Sequence, residues 1–370
     1  MSANLRVCHV VNSVGDTSMP ADLATVQADL NSISKIGILA WFEVEPFRND
    51  DMVRRHCLEV PRGMFHITPH QYRKAKQILS NYDIIHTHHP HSGFYGKLIA
   101  TRLGKPIVNT DHNNHDGYTR KGRIANGITN VLADQIVPVS ESVKNSFASW
   151  EDTLIHDEKI QVINNGVDIN RLKSAQLIDW SIQDHIDIEP DAVIVGSAGE
   201  LTEQKAHEIL IDAVDRANDE AERPVELVIS GEGELRGNLE VQIETANHSD
   251  RLHLLGFLEK REQVYKMMHE VDIFAMPSRW EGFCVAALEA MAIGNACVFS
   301  DIPEFRRPFD GAVRFHRRDS PEDLARELLA VAGDPDSQRE LAENAHELVA
   351  NNYTMERTAE QYLSAYREIS

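Results

Sequence analysis

A chain of 370 residues is long enough for two domains of ordinary size, and with 42% hydrophobic and 26% charged residues it can bury a core in each. A formal charge of −21 excludes wholesale binding of nucleic acid, and no apolar run is long enough for a membrane-spanning helix. The N-terminal string MSANLRVCHVVNS enters a strand without a signal-peptide core. The four cysteines (Cys8, Cys57, Cys284, Cys297) share no CxxC spacing, so a cytoplasmic setting with reduced thiols is expected.

In chain order, residues 5–13 read as a short apolar strand running into Gly15, a turn at which the backbone can approach a ligand closely. Residues 21–33 carry Leu23, Val26, Leu30 and Ile33 at helical spacing. Strands are predicted at 37–43, 83–88 and 106–110, with a helix over 93–105 that Gly104 closes. A strand over 134–140, a helix over 141–150 and a strand and turn over 160–168 complete the first half. The acidic, structure-poor stretch 173–190 reads as an interdomain linker. The alternation then restarts. Strands fall at 192–200, 225–233, 251–257, 271–278 and 296–300, with helices at 206–217, 235–247 and 284–292. Helical patterns over 323–332 and 339–350 precede a last amphipathic helix, 355–369, with Tyr362, Leu363 and Tyr366 on one side. Repeated β-α-β order predicts two doubly wound, Rossmann-like α/β domains, 1–172 and 191–353, which bind ligands at the carboxyl ends of their strands.

Charge is uneven along this plan. Residues 46–125 hold 13 Lys and Arg against six Asp and Glu, so the segment stands at +7 and the remainder at −28. That asymmetry points to an anionic partner at the first domain, with a solvated mixed face as the alternative. Nine of the 18 histidines fall between His56 and His115, and the string HTHHPH (86–91) has the composition of a metal site. Strand-end histidines that bond a sugar or the backbone are the alternative, and no metal is expected.

The organising stretch is MPSRWEGFCVAALEAMAIGNACVFSDIP (276–303), read as strand, glycine turn, helix and strand. Glu281 lies on the turn and Glu289 a little over two helical turns further on, so both can face a ligand at the helix N-terminus. The backbone N–H groups of Phe283, Cys284 and Val285, after Gly282, suit the phosphates of such a ligand.

The string EGFCVAALE, preceded by PS and followed by AMAIG, resembles the retaining GT-B glycosyltransferases of family four, the group 1 glycosyl transferases. DIIHTHHPHSG (83–93), VNTDHNN (108–114), VINNGVD (162–168), GELTEQK (199–205) and GEGELRGNLE (231–240) match further family elements in order, so the resemblance covers nearly the whole chain. It implies two domains facing a cleft, with the C-terminal helix, 354–370, packed back on the first. It implies transfer of a hexose with retention from a nucleotide-diphosphate sugar to an acceptor hydroxyl, with no cofactor or metal. Lys205 would meet the diphosphate, Glu289 the ribose, Glu281 a sugar hydroxyl and His112 the transferred sugar. Gly15, Gly282, Phe283, Cys284 and Val285 would line the phosphates.

Many relatives extend lipid-linked glycans, so the resemblance also implies a carbohydrate or lipid-linked acceptor. A peripheral contact with the anionic inner face of a membrane, through Arg54, Arg55, Arg73, Lys74 and Lys76, then becomes an expectation. The sequence departs from the family pattern at Glu200, which stands where the family has a phosphate-binding arginine, and at Cys284, where it has glycine. A GT-B phosphorylase, a sugar-nucleotide epimerase and a non-catalytic sugar-binding descendant are the alternative readings.

Overall fold

The computed structural model describes residues 4–16, 18–47, 52–64, 66–115 and 119–370; Arg48, Asp50, Asp51 and Asp116 of the basic segment lie outside them. The chain divides into two compact units, Met1–Gly166 with Met355–Ser370, and Val167–Thr354.

Six strands of the first unit, β1 (Leu5–Val14), β2 (Ile33–Val44), β3 (Arg54–Cys57), β4 (Ile84–Thr87), β5 (Ile107–Asp111) and β6 (Gln135–Pro138), form a parallel sheet in the order β3-β2-β1-β4-β5-β6. Around it lie α1 (Met19–Ala28), α2 (Pro69–Leu79), α3 (Pro90–Leu103), α4 (Arg120–Asn130), α5 (Glu141–Asn145) and α6 (Ser149–Leu154). A parallel sheet hides both faces, which is why β1 reads as an almost unbroken apolar run. Val7 and Val11 join one core cluster, while Cys8 and Val10 join the other.

The second unit begins with α7 (Ile169–Ala175) and repeats the architecture. Its strands are β7 (Val193–Ala198), β8 (Val225–Ser230), β9 (Leu252–Gly256), β10 (Ile273–Met276), β11 (Ala296–Ser300) and β12 (Arg314–His316), in the order β12-β11-β10-β7-β8-β9. Its remaining helices are α8 (His207–Asn218), α9 (Arg236–Thr245), α10 (Arg261–Glu270), α11 (Val285–Ile293), α12 (Pro303–Phe309), α13 (Pro321–Ala332) and α14 (Pro335–Asn352). Counted within each unit, both sheets run 3-2-1-4-5-6. The strand order reverses between β1 and β4 in one and between β7 and β10 in the other. Ligands of such sheets sit at the carboxyl ends of these paired strands.

The last helix, α15 (Met355–Ile369), belongs to the first unit. Met355, Ala359, Tyr362, Leu363 and Tyr366 pack into the core cluster that includes Val7, Ala24 and Ile38. Each large apolar side chain buried there contributes roughly 1.5–3 kcal/mol.

Two expectations change. The stretch 173–190 is not a free linker: Ala175, Trp180 and Ile182 are buried, and Glu270 accepts from the Ile182 N–H at 2.7 Å, so it packs within the second unit. The boundary accordingly falls after Gly166 rather than at 172. Residues 160–168 do not form the predicted strand: Ile160 bridges to Ile136, and Gln161 and Ile163 donate to β6 carbonyls, but Pro138 has no N–H with which to return a bond.

Candidate active site

In the second unit the turns leaving β7 and β10 are adjacent because those strands pair at the reversal point. The Arg279 N–H donates to the Gln204 carbonyl at 2.8 Å and ties the two turns together. Lys205 then reaches across: its Nζ lies 2.7 Å from Glu281 Oε1 and 3.7 Å from Cys284 Sγ. Gln204 Nε2 donates to the other carboxylate oxygen at 3.3 Å. Burial works against the Lys205 ammonium, but its neighbours outweigh it and its pKa is raised. Burial also pushes the Cys284 thiol up to about 12, so the sulfur is neutral at physiological pH and the Glu281 carboxylate carries the attraction.

Lys205 is followed by Ala206 at φ 52°, a left-handed conformation that costs a residue with a Cβ about 1–2 kcal/mol. Gly231 shows the other form of constraint on this turn. A Cβ there would lie 1.8 Å from the Gly199 carbonyl oxygen, so only glycine lets the turn after β8 approach the one after β7.

Glu281, Gly282, Phe283 and Cys284 are buried and lead into α11, with Val285 its first residue. Cys284 sits at φ −71°, ordinary backbone, so this cysteine fits where the resemblance expects glycine without strain. The Phe283 ring packs against Phe309 and Tyr353 at centroid distances of 6.1 and 5.5 Å. Glu289 is buried on α11, where Arg261 pairs with Oε1 and the Tyr265 hydroxyl donates to the same oxygen at 2.9 Å. Arg261 and Tyr265 stand one helical turn apart on α10. Their spacing is readable in the string REQVY, but nothing in it points to Glu289. Glu200 is exposed, and its side chain has no partner among the described residues.

In the first unit, His112 follows β5 and lies half-buried, its Nε2 3.0 Å from His88 Nδ1. Burial outweighs the nearby Asp111 and lowers its pKa to about 4. Behind it, Asn126 Nδ2 donates to Asp111 at 2.7 Å, and His115 lies 3.6 Å from Asp111 and 3.1 Å from Glu151. The buried Lys97 ammonium donates to Asn109, Asn126 and Asn130, and burial lowers its pKa to about 7. This network fixes the end of β5 from which His112 projects. Gly15 makes room for Glu45: a Cβ there would lie 2.9 Å from its Oε2.

Nitrogen atoms of His9, His86 and His88 come within 4.8 Å of one another, the spacing of a metal site. All six ring nitrogens already have hydrogen-bond partners, and His9 Nδ1 is 2.8 Å from His88 Nε2. The arrangement is satisfied as a hydrogen-bonded network. Of the basic residues, Arg54 and Lys74 line a cavity of about 400 Å3 with Lys35 and His56, and Arg73 and Lys76 are exposed on α2.

Two doubly wound sheets of identical order, with charged turns at the reversal point of the second, define a GT-B protein. The model of glycosyl transferases group 1 matches residues 179–348, and that of glycosyltransferase family 4 matches 42–171. This chain belongs to that family of glycosyltransferases. It is 24% identical over 313 residues to the O-antigen biosynthesis glycosyltransferase WclY of Escherichia coli, covering 81% of this chain and 84% of the relative. The UDP-Gal:alpha-D-GlcNAc-diphosphoundecaprenol alpha-1,3-galactosyltransferase of E. coli is 28% identical over 228 residues, 60% of this chain and 58% of that one. Anabaena Alr3699/HepE, solved with UDP-glucose, superposes with a TM-score of 0.78 at 17% identity, over 98% of this chain and 100% of its own.

Proposed function

We propose that the protein transfers a hexose, with retention, from a nucleoside-diphosphate sugar to a hydroxyl of a lipid-linked or polymeric glycan, without a metal. The carrying observation is the pair of partly buried Lys205 with buried Glu281 beside the N-terminus of α11. When the bond between the anomeric carbon and the diphosphate oxygen breaks, negative charge grows on the leaving diphosphate. One ammonium and the oriented N–H groups of a helix start stabilise that charge where it forms. Lys205 has three N–H donors; one can stay on Glu281 while the others meet the phosphate. The glycosyl–oxygen bond to the acceptor forms as the diphosphate departs, and the acceptor proton leaves with it or passes to solvent. Glu281 accepts from a sugar hydroxyl, and the family resemblance assigns His112 a contact with the transferred sugar. Gly282 is assigned to the phosphates at this helix start, whereas the space beside the Gly15 backbone is filled by Glu45.

The relatives that act on lipid-linked sugars support the acceptor class. Neighbours bound to UDP or UDP-glucose support the donor class. The test is release of nucleoside diphosphate from a panel of nucleotide sugars with an undecaprenyl-diphosphate glycan, and NMR of the product anomer. An inverted product, or no acceptor-dependent release from any donor, sinks the proposal.

Glu289 is proposed to hold the ribose hydroxyls, for which Arg261 and Tyr265 pre-position its carboxylate. Glu289→Ala should raise donor KM roughly ten- to a hundredfold, the loss of one charged hydrogen bond. An unchanged KM, measured by initial rates, would remove Glu289 from the donor site. Glu200→Arg should be tolerated and lower the donor Kd, because an exposed carboxylate beside the diphosphate turn gives way to a cation. Abolished turnover in that variant would assign the glutamate a positive role.

Arg54, Arg73, Lys74 and Lys76, with Arg55, are the residues proposed to meet anionic headgroups, each worth about 1 kcal/mol near such a surface. Binding to anionic vesicles in co-sedimentation should weaken as salt rises. No binding at low salt would return this face to solvent.

A further inference from the structure

An unbroken series of side-chain hydrogen bonds runs through the first unit from α15 to His112. Tyr362 Oη lies 2.9 Å from Thr110 Oγ1, and Thr110 Oγ1 lies 2.7 Å from His86 Nε2. His86 Nδ1 lies 2.7 Å from Tyr366 Oη, which accepts from Gln27 Nε2 at 3.1 Å. Gln27 Oε1 lies 2.8 Å from His9 Nε2, His9 Nδ1 lies 2.8 Å from His88 Nε2, and His88 Nδ1 lies 3.0 Å from His112 Nε2. His9, His86, His88, Gln27, Thr110, Tyr362 and Tyr366 are all buried.

Neutral groups in such a series cannot be ordered independently. Burial lowers the pKa of all four histidines, so each carries one ring proton at neutral pH. Gln27 is the member whose two ends are chemically distinct. Its NH2 faces Tyr366, so its oxygen faces His9 and can only accept. His9 must then carry its proton on Nε2, which leaves Nδ1 to accept from His88 Nε2–H. His88 Nδ1 in turn must accept from His112 Nε2–H. The other branch runs in the same sense: the Tyr366 hydroxyl donates to His86 Nδ1, His86 Nε2–H to Thr110, and the Thr110 hydroxyl to Tyr362, whose own hydroxyl hydrogen meets no acceptor among the described residues. Rotating the Gln27 amide by half a turn would reverse every bond on both sides and put the His112 proton on Nδ1. Nδ1 is the nitrogen of His112 that has no partner among the described residues.

We propose that Gln27 is a positioning residue: through His9 and His88 its amide fixes His112 as the Nε2–H tautomer, so that Nδ1 presents a lone pair to a sugar hydroxyl. The use of that lone pair rests on the reading of His112 as a sugar contact, whereas the tautomer itself does not. The consequence is a site that selects a hydroxyl donor at this point over a group that can only accept.

The test uses the full chain labelled with 15N-histidine, without donor, at neutral pH. Long-range proton–nitrogen correlation separates the two neutral tautomers, and loss of a signal in His112→Gln identifies His112. Wild type should show the Nε2–H form alone. Gln27→Met, which removes the amide and keeps the shape, should show both forms. Gln27→Glu keeps an acceptor towards His9 and should restore the single form. The mixture in Gln27→Met should raise donor KM about twofold with kcat retained, since about half the molecules present the competent tautomer. Circular dichroism and the melting temperature establish that each variant is folded. An Nδ1–H signal for His112 in wild type overturns the proposal. So does a single unchanged tautomer in folded Gln27→Met. If Gln27→Met does not fold, loss of the Nε2–H form in Gln27→Glu overturns it equally. A mixed tautomer with unchanged KM supports the proposal and removes His112 from the sugar site instead.

Discussion

As pH falls below about 6.5, the first unit is expected to lose its fold before the second does. His9, His86 and His88 are buried and neutral, and burial holds each pKa below the ordinary value, to about 4 for His9. In the unfolded chain the same residues take up protons near pH 6.5. Between about 6.5 and 4 the unfolded state therefore binds more protons, and stability drains away across that window. For His9 alone the loss is on the order of 3 kcal/mol. His86 and His88 shift in the same direction and add to the loss, against a net domain stability of only about 5–15 kcal/mol. Half-buried His89 and His112 shift the same way, to about 3 and about 4.

His115 has the opposite sign. Burial opposes its charge, but the Asp111 and Glu151 carboxylates raise its pKa to about 9. Its contribution is complete below about 6.5 and is lost as pH rises through 9. Below about pH 6.5 His115 therefore adds nothing to the loss. Among the described residues of the second unit, the histidines shifted downward are His207 and His316. Hydrogen-exchange mass spectrometry from pH 7.5 to pH 5, corrected for the intrinsic rate, should show protection falling first in β1, β4 and β5. Equal loss in both units, or flat protection, would contradict this account.

Lys205→Met should be the most damaging single change to turnover, by roughly 10²- to 10³-fold, as when an oriented donor to a developing anion is removed. It should also destabilise the second unit. Glu281 is 5% exposed in its side chain, and stripping its cation leaves a buried charge without its main partner, typically a loss of 3–5 kcal/mol. The two effects separate in the double variant Lys205→Met, Glu281→Gln. Removing both charges should restore most of the melting temperature, because Gln204 and a neutral amide still fill the space, while turnover stays low. Recovery of turnover in the double variant would reduce Lys205 to a structural counter-charge.

Much of this was legible in the sequence because its strongest signals are local. The apolar strands, the glycine turns and the α11 string carry their own periodicity, and the matched strings place Lys205, Glu281 and Cys284 at the ends of neighbouring strands. Other elements had thinner signals. Helix α2 buries only Ala75 and Leu79, too narrow a stripe to read by periodicity. Its Thr68–Gln71 capping box was nevertheless a readable start. Strands β3 and β12, of four and three residues, are shorter than a pattern can establish. The partners of the site residues were the least legible. Glu289 meets Arg261 across 28 positions, and Gln27 meets Tyr366 across 339. Such contacts exist only once the sheets have assembled.

The placement of α15 also sets the order in which a growing chain can mature on the ribosome. Residues 167–354 are contiguous and can acquire their core as soon as they emerge. The first unit, although synthesised earlier, must wait for 355–370 to close over Val7, Ala24 and Ile38, and to supply the hydroxyl groups that satisfy His86 and Thr110. Until then its buried histidines and apolar strands face solvent with one wall missing. A nascent chain stalled before Met355 should therefore be a client for chaperones through its N-terminal half, and one that has added residues 355–370 should not.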